Sequence, residues 1–212
     1  MTLTTALWSF ALVVGLLTLT PGLDTALILR TAALGRRRRA WGVVLGIQTG
    51  TLLWGVLSSL GVTALLTASR LAYDGLRLAG AGYLLWMGAR MLWQTRRAPA
   101  EAAPESVRPA DGTDSLRGGW RQGTVTNLLN PKMGVFYVAV LPQFIPPGAP
   151  HFATGVLLTG VHVALGLLWS SVLVGFARVL RGQLQRASAR RVLDRITGTV
   201  IVGFGLRLAA GQ

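Results

Sequence analysis

Cysteine is absent from the 212 residues, which excludes thiol–disulfide exchange and any metal held by thiolates. Charge is scarce as well: 13% of the residues are charged, against roughly 25% in an ordinary soluble domain. Acids are the scarcest, seven against 21 lysines and arginines, for a net charge of +14. Hydrophobic residues make up 51%, which places the chain in the membrane class. In a soluble protein such a positive surplus would point to nucleic acid. Here the arginines cluster between apolar runs, and no nucleic-acid partner is expected.

The apolar runs are of membrane length. The first covers 3–34, long enough to cross the roughly 30 Å hydrocarbon core even with a break at Pro21. Residues 1–19 lack the basic start of a cleavable signal and read as mature chain. Arg36, Arg37, Arg38 and Arg39 end the first run, and a second covers 40–66. A turn at 67–74 leads to a third at about 76–93. Residues 94–119, rich in Pro, Ala, Arg and acids, read as a soluble linker. A fourth run spans about 121–145, and Pro146 to Pro150 form an uncharged turn. A fifth covers 152–180, a basic connector 181–191 follows, and the sixth covers 192–210.

The expected fold is therefore all-α integral membrane, with six transmembrane helices. Most arginines fall on one side: Arg36 to Arg39, Arg96 to Arg121, and Arg178 to Arg195; Arg70, Arg77 and Arg207 fall on the other. The positive-inside rule makes the first side cytoplasmic and both termini extracytoplasmic. Three spans, a linker and three spans form a 3+3 repeat. An odd number per half inverts the second half relative to the first. The domain reading is 1–93 as the first three-helix repeat, 94–119 as a cytoplasmic linker, and 120–212 as the second, inverted repeat.

The first helix of each repeat is broken, at Pro21 and at Pro131. Thr20-Pro21 and Asn130-Pro131 share one grammar: a capping residue, then a proline suited to the first helical position. Each proline is thus expected to begin a half-helix, with the two N-termini facing each other near the midplane. Unpaired N–H groups and the positive dipole end there suit an anionic group such as a carboxylate. Asp24, three residues after Pro21, is expected to hold a substrate ammonium or to exchange a proton. Lys132 opposes the dipole of its own first turn, which points to pairing with Asp24 or to a substrate carboxylate. Pro21, Gly22, Asn127, Asn130 and Pro131 complete the substrate-binding set, with Gln48 as a further cavity candidate. Gln48 lies inside the ladder Gly42, Gly46, Gly50, which reads as a close-packing face. His162 reads as a bonded structural histidine with a proton relay as the alternative. Trp54, Trp86, Trp93, Trp120 and Trp169 read as interface or packing residues.

Enzyme chemistry is not expected. Ser170, Ser171 and His162 share one run, but no Gly-x-Ser-x-Gly elbow is present. Asp24 has no acidic partner within a span, as an aspartyl protease would need. No cofactor and no metal are expected.

Three motifs, Thr20-Pro21-Gly22-Leu23-Asp24, Thr126-Asn127-Leu128-Leu129-Asn130-Pro131-Lys132 and Leu141-Pro142-Gln143-Phe144, resemble the lysine-exporter / homoserine–threonine-efflux (LysE/RhtB) superfamily. Leu78 to Leu84 and the segments at 191–194 and 205–206 are similar to it as well. The resemblance runs in order over nearly the whole chain. It implies a six-span inner-membrane exporter of amino acids or their derivatives, driven by proton exchange and forming a homodimer. It supports Pro21, Gly22, Asp24, Asn130, Pro131 and Lys132 as motif positions. The family pattern has a second proline where Leu23 stands here, so the first break is expected to be less rigid. Rival readings are an exporter of cations or other metabolites, and a non-transporting accessory protein of the membrane.

Overall fold

The computed structural model describes residues 2–68 and 114–177, with scattered positions in 75–93 and 179–206. The third and sixth apolar runs lie largely outside the described residues. So do nearly all of the linker, the basic connector 181–191, Arg70, Arg207 and Asp194. Among the described residues the chain is all helix, without strands.

Helix α1 (Leu3–Leu19) starts on Thr2, whose side chain accepts from the Thr5 N–H. It stops at Thr20, whose N–H and hydroxyl both donate to the Leu16 carbonyl. Helix α2 (Leu23–Ala33) follows at a bend of 54°. Its cap is Gly22, in extended backbone and with no side chain to contribute. Here the expected grammar is corrected: Pro21 lies in the connection and does not begin the second half-helix. The Thr20 side chain turns back onto α1, and the cap falls two residues later, on Gly22. Gly35, at φ +76°, turns the chain out of α2.

Helix α3 (Arg37–Ala68) is the longest described. Its first turn is capped from far along the chain: Asp114 Oδ1 accepts from the Arg39 N–H at 2.7 Å. A carboxylate there suits both the bare N–H groups and the dipole. Helix α4 (Leu116–Leu128) begins on Ser115, whose hydroxyl accepts from the Gly118 N–H. Residues 116–119, read from sequence as the end of the linker, are thus helical. The chain continues through a short helix α5 (Pro131–Val135), a π-helical turn (Phe136–Val140) and a 3-10 turn (Leu141–Phe144). Gly148, at φ +81°, makes the turn before helix α6 (His151–Gly175).

Helices α3 and α4 touch backbone to backbone. A methyl group on Gly46 would sit 2.0 Å from the Trp120 carbonyl oxygen, and one on Gly42 2.1 Å from that of Leu116. The opposing helix answers with Gly119 and Gly123, equally close to the carbonyls of Arg39 and Val43. The glycine ladder is therefore a packing face between the two halves of the chain. Being covered by α4, it offers no surface to a second copy. Arg39 joins the same contact, donating to Gln122 Oε1 at 3.0 Å.

Two apolar cores result. One gathers Phe10, Val14 and Leu17 of α1 with Met133, Phe136, Tyr137 and Leu158. The other gathers Ile28, Val43, Val44, Ile47 and Leu173. The outer faces carry exposed apolar residues such as Trp8 (75% exposed), Leu12 and Leu168. Helices α3 and α6 are long and apolar enough to cross a membrane, and the bent α1–α2 pair makes up to three such spans.

Candidate functional site

The polar break between α1 and α2 meets the break between α4 and α5. At the second, Asn130 caps α5 through its Oδ1, which accepts from the Lys132 N–H at 3.1 Å, and Pro131 takes the first helical position. This matches the expected grammar. Asp24 stands in the first turn of α2. Its Oδ2 accepts from Asn127 Nδ2 at 2.9 Å and from Asn130 Nδ2 at 3.4 Å. One carboxylate thus ties the first break to two amides of the second, more than 100 residues away in sequence. Asp24 Oδ1 and Asn127 Oδ1 are buried and have no hydrogen-bond partner.

Lys132 turns away from its own helix. Its ammonium donates to the Leu17 carbonyl at 2.8 Å and to the Thr20 carbonyl at 3.4 Å. In an unbroken helix the Leu17 carbonyl would receive the N–H of residue 21, and proline has none. The lysine supplies the missing donor and places its charge at the negative end of α1. A cation ill-suited to the helix that carries it is thus well placed for the one it touches. Losing a charged hydrogen bond here costs about 2 kcal/mol. Lys132→Met is therefore expected to melt well below the wild type in detergent, and Lys132→Arg close to it. Equal melting of Met and wild type would show that the contact carries no stability.

The turn at Pro142 repeats this device with the roles exchanged. In the π-helical turn the Leu141 N–H bonds the Phe136 carbonyl. The next donor in that register would be residue 142, which is Pro142. The Tyr137 carbonyl instead accepts from Ser58 Oγ of α3 at 2.6 Å. Tyr137 also stacks on His162 and meets its Nδ1 at 3.0 Å. His162 is thus the bonded histidine expected, and it also borders the cavity.

That cavity, of about 60 Å³, is lined by Gly22, Asp24, Gln48, Asn127, Asn130 and Lys132 from the sequence-derived set. The prolines enter through the backbone, as helix breakers. Thr25, Thr51, Met133 and Gly166 line it too and were not singled out; Thr20 entered only as a cap, Ser170 only as a rejected nucleophile and Trp169 only as packing. Gln48 is 6% exposed, and a methyl on Gly166 would lie 2.9 Å from its Oε1, so its amide lies across that glycine. The indole N–H of Trp169 is buried without a partner. An engineered cavity of about 150 Å³ binds benzene, so this one, at about 60 Å³, is small. Among the described residues no group of three His, Cys, Asp or Glu is placed to hold a metal. Ser170 hydrogen bonds no histidine among them, and the Ser171 hydroxyl donates to the Leu167 carbonyl.

Residues 15–212 match the family described as LysE type translocator. The chain belongs to that family. Its members are translocators, which supports reading this LysE-type chain as a non-enzyme. It is 24% identical over 205 residues to the uncharacterized membrane protein YrhP of Bacillus subtilis, covering 95% of this chain and 97% of that one. It is 27% identical to an uncharacterized membrane protein of Vibrio cholerae, covering 92% and 91%. It is 26% identical over 207 residues to the leucine efflux protein of Salmonella typhimurium, covering 97% and 95%. No solved structure matches. The relatives' names and the apolar helices fit a multi-pass membrane protein.

Proposed function

We propose that this LysE-type translocator exports amino acids across the cytoplasmic membrane by exchange with protons. Two inverted three-helix halves, 1–93 and 120–212, joined by the cytoplasmic linker 94–119, would alternate access to the cavity between the breaks. Both termini would lie outside. One observation carries the reading. Asp24, Asn127 and Trp169 line one cavity, and each holds a buried polar atom without a partner: two oxygens and an indole N–H. Each such atom costs about 1–3 kcal/mol, so their gathering at one place favours a ligand that brings both donors and an acceptor. An amino acid does so: its ammonium meets Asp24 and Asn127, and its carboxylate accepts from the Trp169 indole N–H. Gly22, Gln48 and Asn130 complete the wall, and Pro21 and Pro131 hold the breaks open. The leucine efflux protein among the relatives, 26% identical, supports the same class of cargo.

Asp24 also serves as the proton-coupling group, because ammonium and proton compete for one carboxylate. Liposomes containing the purified protein, held more acidic inside than outside, are expected to accumulate labelled leucine as protons leave. A protonophore is expected to abolish the accumulation. Uptake indifferent to the pH gradient would sink the antiport part while leaving exchange intact.

A further inference from the structure

We infer, on the exporter reading above, that the cavity takes amino acids with uncharged side chains and seats the side chain on an apolar wall of Ile28, Ile47, Trp169 and Leu173. All four residues line the cavity. They also belong to one core, in which Ile28, Ile47 and Leu173 are buried and Trp169 packs against them. They therefore form one continuous surface, and the polar breaks supply the other side.

The decisive point is the charge that remains once the common part of an amino acid is bound. Of the seven acids in the sequence, only Asp24 lies well inside an apolar run. The others fall in the turn at 67–74, in 94–119, or at the start of the last run. If Asp24 meets the α-ammonium, a second cation on the side chain has no carboxylate to meet. An unpaired charge away from water is strongly disfavoured. The same holds for a side-chain carboxylate. Lys132 is the only lysine or arginine among the described lining residues, and its ammonium already serves the carbonyls of Leu17 and Thr20. An aliphatic side chain requires no further partner and gains by leaving water.

The comparison of norleucine with lysine isolates this effect, because the two differ only by the terminal ammonium. Wild-type protein in liposomes would be loaded with one unlabelled amino acid at a time, with labelled leucine outside and, in parallel, labelled lysine. Internal norleucine, leucine or methionine is expected to drive leucine accumulation. Lysine, arginine and glutamate are expected to need at least a hundredfold higher concentration. If lysine works within tenfold of norleucine, or if only labelled lysine accumulates, the inference is overturned and the exporter stands. If no amino acid drives accumulation of either tracer by protein that elutes as a single folded species, both fall.

Discussion

Asp24→Asn is expected to lower leucine exchange about a hundredfold, with little loss of folded protein. The carboxylate is held by the amides of Asn127 and Asn130, and an asparagine oxygen at the same place can still accept from them. What disappears is the charge opposite the substrate ammonium. Truncating one partner of a buried charged pair costs about 2–5 kcal/mol, and about 3 kcal/mol corresponds to two powers of ten. The variant is also expected to lose its response to a pH gradient, because the exchanging proton has no site. The measurement is initial-rate exchange at matched protein content, with the gradient present and collapsed. Full exchange in Asp24→Asn, still driven by the gradient, would remove Asp24 from both roles.

The other large effect concerns the scaffold. Gly46→Leu is expected to abolish the folded protein. Even the first added carbon would sit 2.0 Å from the Trp120 carbonyl oxygen, a backbone atom that cannot swing aside. Accommodating it means separating α3 from α4, along with the Thr124 hydroxyl bond to the Gly46 carbonyl and the Trp120 indole bond to Thr49. Overpacking costs about 1–3 kcal/mol where side chains can shift, and more where they cannot. Gly160 of α6 is the control: nothing lies within 4 Å of its added carbon, and it is exposed. Fluorescence-detected size exclusion of detergent extracts should show a sharp peak for Gly160→Leu and none for Gly46→Leu. A sharp peak for both would mean that the contact between α3 and α4 is not needed for folding.

The contrast between these two positions shows what could be read from sequence. Gly42, Gly46 and Gly50 recur every four residues, so they share a face, and a glycine face in an apolar helix implies close approach. The helix that approaches is a tertiary fact. It was visible only as Gly119 and Gly123 spaced by four residues in a segment partly read as linker. The polar breaks were legible because proline and charge are costly in hydrocarbon. Their internal grammar held at Asn130-Pro131 and failed at Thr20-Pro21, because a threonine hydroxyl can bond backwards as easily as forwards. The structure brings Asp24, Asn127 and Asn130, all named from sequence, into one contact. The contact of Lys132 with the Leu17 and Thr20 carbonyls was not legible, since a four-carbon stem can serve any helix within its radius. Trp169 was set aside as packing because an all-apolar helix gives no signal of its rotation.

The Lys132 contact also has a consequence in time. The Leu17 carbonyl receives its donor from a residue 115 positions later in the chain. At roughly 5–20 residues per second, that interval takes on the order of ten seconds of synthesis. During it the carbonyls of Leu17 and Thr20 have been made, and the ammonium that they receive in the folded chain has not. Until the second half emerges, the nascent protein is chemically unfinished at this break. A chain that ends before Lys132 lacks this donor altogether.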